Sequence, residues 1–329
     1  MLPSKSSPAG LVGIAKLAAE SPLLEAKRRV QYFELPTRKF ITRCSSPRMP
    51  FEWTINPYRG CEFGCKYCYA RYTHEFMELH DGRDFEEKIY AKQWSAEGFR
   101  QELSKIPRKD CIAIGTATDP YQAAERRYEV TRRVLERLSK ERGRKISLIT
   151  KSDLIVRDAA LLAEIARFNV LFVTLTVTTV DARLARLLEP YAPRPDLRLQ
   201  AVRRLADAGL RVGVFSAPIL PLMNDSQESL DAVAAAAKES GAVHFGGNVL
   251  FLKPCAQKVF FPFLEQQFPH LVRRYRERFK EKAYLRGEYP KMIQERVERS
   301  RRKYGLARRF EEYQQEAWAG EEQLELFEI

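Results

Sequence analysis

Cys61, Cys65 and Cys68 stand in the run CEFGCKYC, a CxxxCxxC spacing that gathers half of the chain's six cysteines into one loop. Soft thiolates crowded in this way read as ligands for zinc or for an iron-sulfur cluster. Ligand number separates the two. A structural zinc site takes four protein ligands, and His74 stands near enough in sequence to be the fourth. A cubane has four irons, so three cysteines leave one iron open to a further ligand, and that iron is a place for chemistry.

The remaining cysteines, Cys44, Cys111 and Cys255, are scattered without a framework spacing, as expected of reduced thiols that pack as small hydrophobes. With 329 residues, 45% hydrophobic and 30% charged, the chain can bury one substantial core. No run approaches the roughly 20 apolar residues that span a bilayer, and LVGIAKLAAE near the start is too short and too charged for a signal peptide. The expectation is a cytoplasmic protein with no membrane partner.

The net charge of +13 has a pattern. Residues 271–309 hold fifteen Lys and Arg against five Glu, whereas 310–329 hold seven Glu and no base. Even so, the excess is spread over the whole chain. Such a field attracts polyanions, nucleic acid first; the alternative is a solvated helix face that binds nothing.

The elements that position the cysteines alternate regularly. Apolar strand-like runs at 53–57, 111–116, 146–150, 170–177, 211–217 and 243–252 are separated by helical patterns at 66–78, 125–142, 158–168, 197–208 and 226–240. Repeated strand and helix units predict an α/β fold with a parallel sheet, whose site lies at the C-terminal ends of the strands. The cysteine loop follows the first strand and so falls at that end. Before it, residues 1–50 read as a loosely ordered arm with a short helix over 23–32 and an edge strand at RKFIT. Four regions are expected: the arm at 1–50, the strand and helix units at 51–255, a basic helical extension at 256–309, and an acidic tail at 310–329.

CEFGCKYC, with an aromatic residue directly before its last cysteine, resembles the cluster loop of the radical S-adenosylmethionine (SAM) superfamily. KYCY, followed much later by Lys151 in ITKS, is similar to the spore photoproduct lyase branch, the DNA repair photolyase relatives. The resemblance implies a partial (β/α)6 barrel and a 4Fe-4S cluster held by Cys61, Cys65 and Cys68. It also implies SAM on the open iron, a 5'-deoxyadenosyl radical, and an electron donor such as flavodoxin or ferredoxin. The substrate it points to is nucleic acid, in a DNA repair setting; the alternatives are a radical SAM enzyme that modifies a protein or a small molecule and, if the cysteines hold zinc, a non-catalytic nucleic-acid-binding protein.

Site residues follow from the same resemblance. Lys151 matches a SAM-contacting lysine, although a structural salt bridge is an equal reading. Tyr67 would line the SAM site, and Thr174, Thr176 and Thr178 share one face of the fourth strand near a SAM-contacting position, with Thr176 and Thr178 the candidates. In GTATDPYQ, Thr116, Thr118 and Asp119 offer polar groups where the wider superfamily often has Gly-Gly-Glu, and Asp119 before Pro120 also suits a turn. Glu189 and Arg198 read as a structural ion pair. Tyr69 corresponds to a tyrosine of the lyase's hydrogen-atom relay. The lyase's hydrogen-donating cysteine, however, is matched here by Thr116, which leaves Cys255 as the cysteine nearest the expected chemistry.

The acidic tail ends in QLELF, where Gln323, Leu326 and Phe327 resemble the peptide by which bacterial DNA polymerases and repair proteins dock onto the sliding clamp.

Overall fold

A computed structural model describes residues 10–308, apart from 28, 38, 47, 48 and 281. The chain opens with helix Gly13–Glu20 and continues into a hairpin of β1 (Leu23–Lys27) and β2 (Val30–Leu35). Next come β3 (Ile41–Arg43), β4 (Trp53–Ile55) and β5 (Tyr58–Arg59), the cysteine loop, and β6 (Lys88–Lys92). The remaining strands are β7 (Cys111–Ile114), β8 (Lys145–Thr150), β9 (Val170–Thr176), β10 (Val212–Ile219) and β11 (His244–Val249).

Six of these form the parallel sheet the sequence predicts. The order is β11-β10-β9-β8-β7-β4, every pair parallel, with β3 antiparallel on the outer edge of β4. Parallel strands are covered on both faces, which is why β9, VLFVTLT, is an almost unbroken buried run. Ile55, Ile112, Ile146, Val173, Val214 and Phe245, one from each strand, are fully buried in the shared core. The sheet stays open: β3 and β11 are its edges, and helix Glu288–Lys303 packs beside β11.

The N-terminal expectation is corrected. Residues 23–32 form most of a β-hairpin rather than a helix, and β2 runs parallel to β6, with Gln31 opposite Lys88 and Leu35 opposite Lys92. β6 also pairs with β5, so a second, four-stranded sheet ties the N-terminal segment to the strand that feeds the cysteine loop. A loosely ordered arm therefore does not fit the described residues of this segment.

Two helices differ from the periodicity. The pattern over 66–78 gives only a tight turn, Tyr69–Arg71, and helix Tyr72–Glu75. The pattern over 125–142 is broken at Glu129, where φ is 50°, into Glu125–Tyr128 and Val130–Leu138. The break has a cause: the buried Glu125 carboxylate accepts the Thr131 and Arg132 amides at 2.8 and 3.1 Å and so caps the second helix.

After β11, helices Pro254–Gln267 and Val272–Phe279 close a second apolar cluster. Phe260, Phe263, Tyr275 and Phe279 pack there in one cluster with Phe63, Tyr67, Leu188 and the Cys61 and Cys65 side chains. Among the described residues no helix is long and apolar enough to cross a membrane. The QLELF segment lies outside the described residues.

Candidate active site

β4 and β5 deliver the chain to the loop that carries Cys61, Cys65 and Cys68, none of them in a disulfide. Main-chain bonds fix its path. The Cys61 amide donates to Phe85 O at 2.9 Å, Lys66 to Leu188 O at 2.9 Å, and Cys68 to Cys65 O at 3.1 Å. The buried Arg71 guanidinium donates to Cys65 O at 3.1 Å and to Gly82 O at 2.5 Å, and pairs with Glu86 at 2.6 Å. Gly60 makes the entry turn at φ 85°, where a Cβ would sit 2.8 Å from Lys88 O and 2.9 Å from Phe85 O.

Side chains from the turn after β7 brace the same loop. Thr118 Oγ1 and Gln122 Nε2 both donate to Gly60 O, at 2.6 and 3.1 Å, and Gln122 Oε1 accepts the Glu62 amide at 3.0 Å. Glu62 reaches back to accept from the Ala124 amide at 2.7 Å and from Tyr32 Oη at 2.8 Å. Asn56 pairs with the Thr116 hydroxyl at 3.2 Å and accepts the Ala117 amide at 2.8 Å. Asp119 joins neighbouring strand ends: it accepts from Thr150 Oγ1 at 2.6 Å, the Tyr121 amide at 2.9 Å and the Lys151 amide at 2.7 Å. Burial nevertheless raises its carboxyl above the ordinary value.

A buried charged network lies on the other side. Tyr67 donates to Glu189, which also accepts from Thr178 Oγ1 at 2.6 Å and is paired with Arg198 through its second oxygen. Lys151 Nζ is 4.0 Å from Glu189 and 5.8 Å from the centre of the Tyr67 ring. Arg198 further donates to Thr176 O at 3.1 Å and to Pro193 O at 2.7 Å. Burial opposes ionisation of Glu189, but Arg198, Lys151 and the two hydroxyl donors hold its carboxyl below the ordinary value.

Burial pushes all three loop thiols up, Cys65 to about 12, with Asp119 adding to the rise at Cys61 and Arg71 opposing it at Cys68. Thiols in such surroundings ionise when a cationic metal binds them. Among the described residues no three His, Cys, Asp or Glu side chains close around a single-ion position. His74, the fourth ligand of the zinc alternative, is instead buried between Phe85 and Tyr90 with Nε2 3.0 Å from Lys88 O. Three unbridged thiols in one clamped loop are a donor set that fits a cubane spanning them, with one iron left to another ligand.

The structure thus gathers Tyr67, Lys151, Thr178, Glu189 and Arg198 into one network, places Thr116 and Thr118 in the bracing of the loop, and sets Asp119 between the ends of β7 and β8. Thr176 is buried at the end of β9. Tyr69 follows the last cysteine; its hydroxyl donates to Thr116 O and its ring packs on Phe251 at 4.7 Å. Cys255, buried at the start of helix Pro254–Gln267, places Sγ 3.9 Å from Tyr69 O. Sequence reasoning missed Asn56, Glu62, Arg71 and Gln122. Asn56 directly precedes the PYRGC run, but a polar residue next to proline reads first as a turn former.

The chain matches the radical SAM superfamily over residues 55–234. It is 38% identical over 263 residues to the uncharacterized protein Rv2578c of Mycobacterium tuberculosis, covering 79% of this chain and 76% of that one. The uncharacterized protein MJ0683 of Methanocaldococcus jannaschii is 26% identical over 250 residues, 75% of this chain and 83% of that one. Among solved structures, spore photoproduct lyase complexed with dinucleoside spore photoproduct superposes with a TM-score of 0.62 at 14% identity, covering 83% of this chain and 79% of the lyase. A doubly substituted form of that lyase with bound AdoMet and dinucleoside spore photoproduct gives 0.61 at 15% identity, covering 82% and 79%.

Proposed function

The chain belongs to the radical SAM superfamily, and from that premise we propose that it is an enzyme that binds a 4Fe-4S cluster through Cys61, Cys65 and Cys68, binds SAM beside it, and acts on nucleic acid. The observation that carries the cofactor part is the clamped loop of three unbridged cysteines at the C-terminal end of a six-stranded parallel sheet. With both groups bound, reductive cleavage of SAM supplies a 5'-deoxyadenosyl radical able to take hydrogen from an unactivated carbon.

The protein's own residues bind, orient and exclude water. Arg71, Thr118 and Gln122 hold the backbone of the cysteine loop, and the second apolar cluster packs over it. Tyr67 keeps its proton on Oη, donated to Glu189, so that its ring is fixed directly before Cys68. Lys151, at the end of β8, has its ammonium at the rim of this network and is the cation we assign to the carboxylate of SAM. Arg198 already neutralises Glu189, which leaves Lys151 able to meet a second anion.

The nucleic-acid part rests on the net charge of +13 and on the shared fold of spore photoproduct lyase. The test of the cofactor part is anaerobic purification with iron, sulfide and zinc counted. About four irons and four sulfides per chain, falling sharply in Cys61→Ser, Cys65→Ser and Cys68→Ser, are expected; a colourless protein holding one zinc contradicts the reading.

A further inference from the structure

Beside the cysteine loop, three rings form a file. Tyr69 packs on Phe251 at 4.7 Å, and Phe251 stacks on Tyr284 at 5.0 Å with the ring planes 7° apart. Phe251 and Tyr284 are also bridged through their backbones, so the pair is held by main chain as well as by ring contact. Tyr284 keeps 44% of its surface exposed. Next to it, Tyr72 lies under Lys253, with Nζ 3.6 Å from the ring centre, and its edge meets Phe76, which is 60% exposed.

The cations here lack carboxylate partners. Among the described residues neither Arg59 nor Lys253 forms an ion pair, and the Arg59 Nε is buried without a hydrogen-bond acceptor. Burial raises the Tyr72 hydroxyl, and the charge of Arg59 opposes the rise. Glu75 is the acid of this neighbourhood, and its charge acts on Cys255. Partly buried cations that form no ion pair among the described residues, interleaved with exposed rings, suit a chain of phosphates carrying unpaired bases. Rings take any base through its face, and fixed cations take the phosphates.

We propose that Phe251 and Tyr284, with Tyr72, Lys253 and Arg59 beside them, form a platform that takes an unpaired base and its flanking phosphates from a single strand of nucleic acid. The proposal deepens the nucleic-acid reading above and rests on it. A base stacked on Tyr284 extends the file that starts at Tyr69, so the strand is presented at the edge of the cysteine loop. Paired bases do not offer their faces, so duplex must open locally to be bound here.

The test is anaerobic titration of the full chain with a labelled oligothymidylate and a labelled oligouridylate across a salt series. Tyr284→Ala is expected to weaken binding about fivefold or more, and Tyr284→Phe to keep it, because the ring and not the hydroxyl stacks. Lys253→Gln and Arg59→Gln should each flatten the slope of log affinity against log salt by about 0.7, the value for one phosphate contact on a single strand. A preference for either oligomer identifies the natural strand and supports the platform. Wild-type binding that all four variants keep unchanged overturns the platform and leaves the nucleic-acid reading standing. Equal losses in Tyr284→Ala and Tyr284→Phe also overturn it. A wild-type protein that binds neither oligomer overturns the platform, and one that also fails to bind duplex overturns the nucleic-acid reading with it, while 5'-deoxyadenosine release reports separately on the radical chemistry.

Discussion

Tyr67 donates its phenolic hydrogen to Glu189, which fixes the residue before the last cysteine of the loop to the turn after helix Ala182–Leu188. The other oxygen of the same carboxylate belongs to Arg198, so the cysteine loop is anchored to a buried ion pair rather than to solvent.

Removing Glu189 is expected to be costly. Glu189→Ala strands the buried Arg198 without its acid, and breaking a buried pair by one partner costs about 3–5 kcal/mol. Denaturant unfolding of the apo-protein measures this, and Glu189→Gln with Arg198→Met should recover a large part of it. The pH dependence has a definite sign. A carboxyl lowered below its ordinary 4.5 contributes stability that is present above 4.5 and lost as pH falls through the lower folded value. Glu189→Gln should therefore flatten the acid limb of the stability curve.

The two glycines of the loop should differ. Gly60 and Gly64 both have positive φ, 85° and 63°, which costs a substituted residue about 1–2 kcal/mol. At Gly64 the added Cβ meets the ring of Tyr191, which is 62% exposed and can move. At Gly60 it meets two backbone carbonyls that cannot. Gly60→Ala is expected to lower both melting temperature and iron content well below wild type, with Gly64→Ala in between. Equal effects would contradict the geometry.

Lys92 predicts a rise of stability with pH. Burial, with Arg59 adding, lowers its ammonium from 10.5 to about 7, and its hydrogen bond is to Phe40 O at 3.2 Å. Between those values the unfolded chain holds the proton that the folded chain has released, so stability increases as pH rises from about 7 to 10.5. Lys92→Met should remove that slope and stabilise most below neutral pH, as melting temperatures at about pH 6 and pH 9 would show.

The basic helices do not present every charge to a polyanion. Of the basic residues in 271–309, Arg301 is buried against Glu298 and Lys303 pairs with Asp231 at 2.6 Å. Arg302 shares Glu298, and Arg273 stands exposed with Glu277 at 3.8 Å. Charge reversal at Arg273 and Arg274 should weaken duplex binding and flatten its salt slope by about 0.9 per lost phosphate contact. Arg301→Glu should instead lower stability. An unchanged slope in the first variant marks that helix as solvated surface.

Much of this was legible in the sequence. Each parallel strand falls within a few residues of its apolar run because a strand covered on both faces must be apolar almost throughout, as β9 is. The hairpin over 23–32 was not legible. LLEAKRRVQY has charges at helical spacing, and what makes it strand is pairing with β6, more than fifty residues on, together with the Tyr32 bond to Glu62. The cysteines announce themselves by spacing. Asn56, Glu62 and Gln122 do not, since their partners lie about sixty residues away and their types suit any turn. The branch-level resemblance pointed to Tyr67, Lys151 and Tyr69 as candidates. That Tyr67, Lys151 and Thr178 share Glu189 required the fold.

The account stands most directly on one measurement: release of 5'-deoxyadenosine from SAM by the anaerobically reconstituted protein after addition of a strong reductant. The account predicts 5'-deoxyadenosine from the wild-type chain and none above background from Cys68→Ser, with the apo-forms of both melting at similar temperatures because the apolar sheet core carries their stability. A reconstituted wild-type protein that holds iron and sulfide yet releases no 5'-deoxyadenosine, or a Cys68→Ser variant that releases as much as wild type, would contradict it.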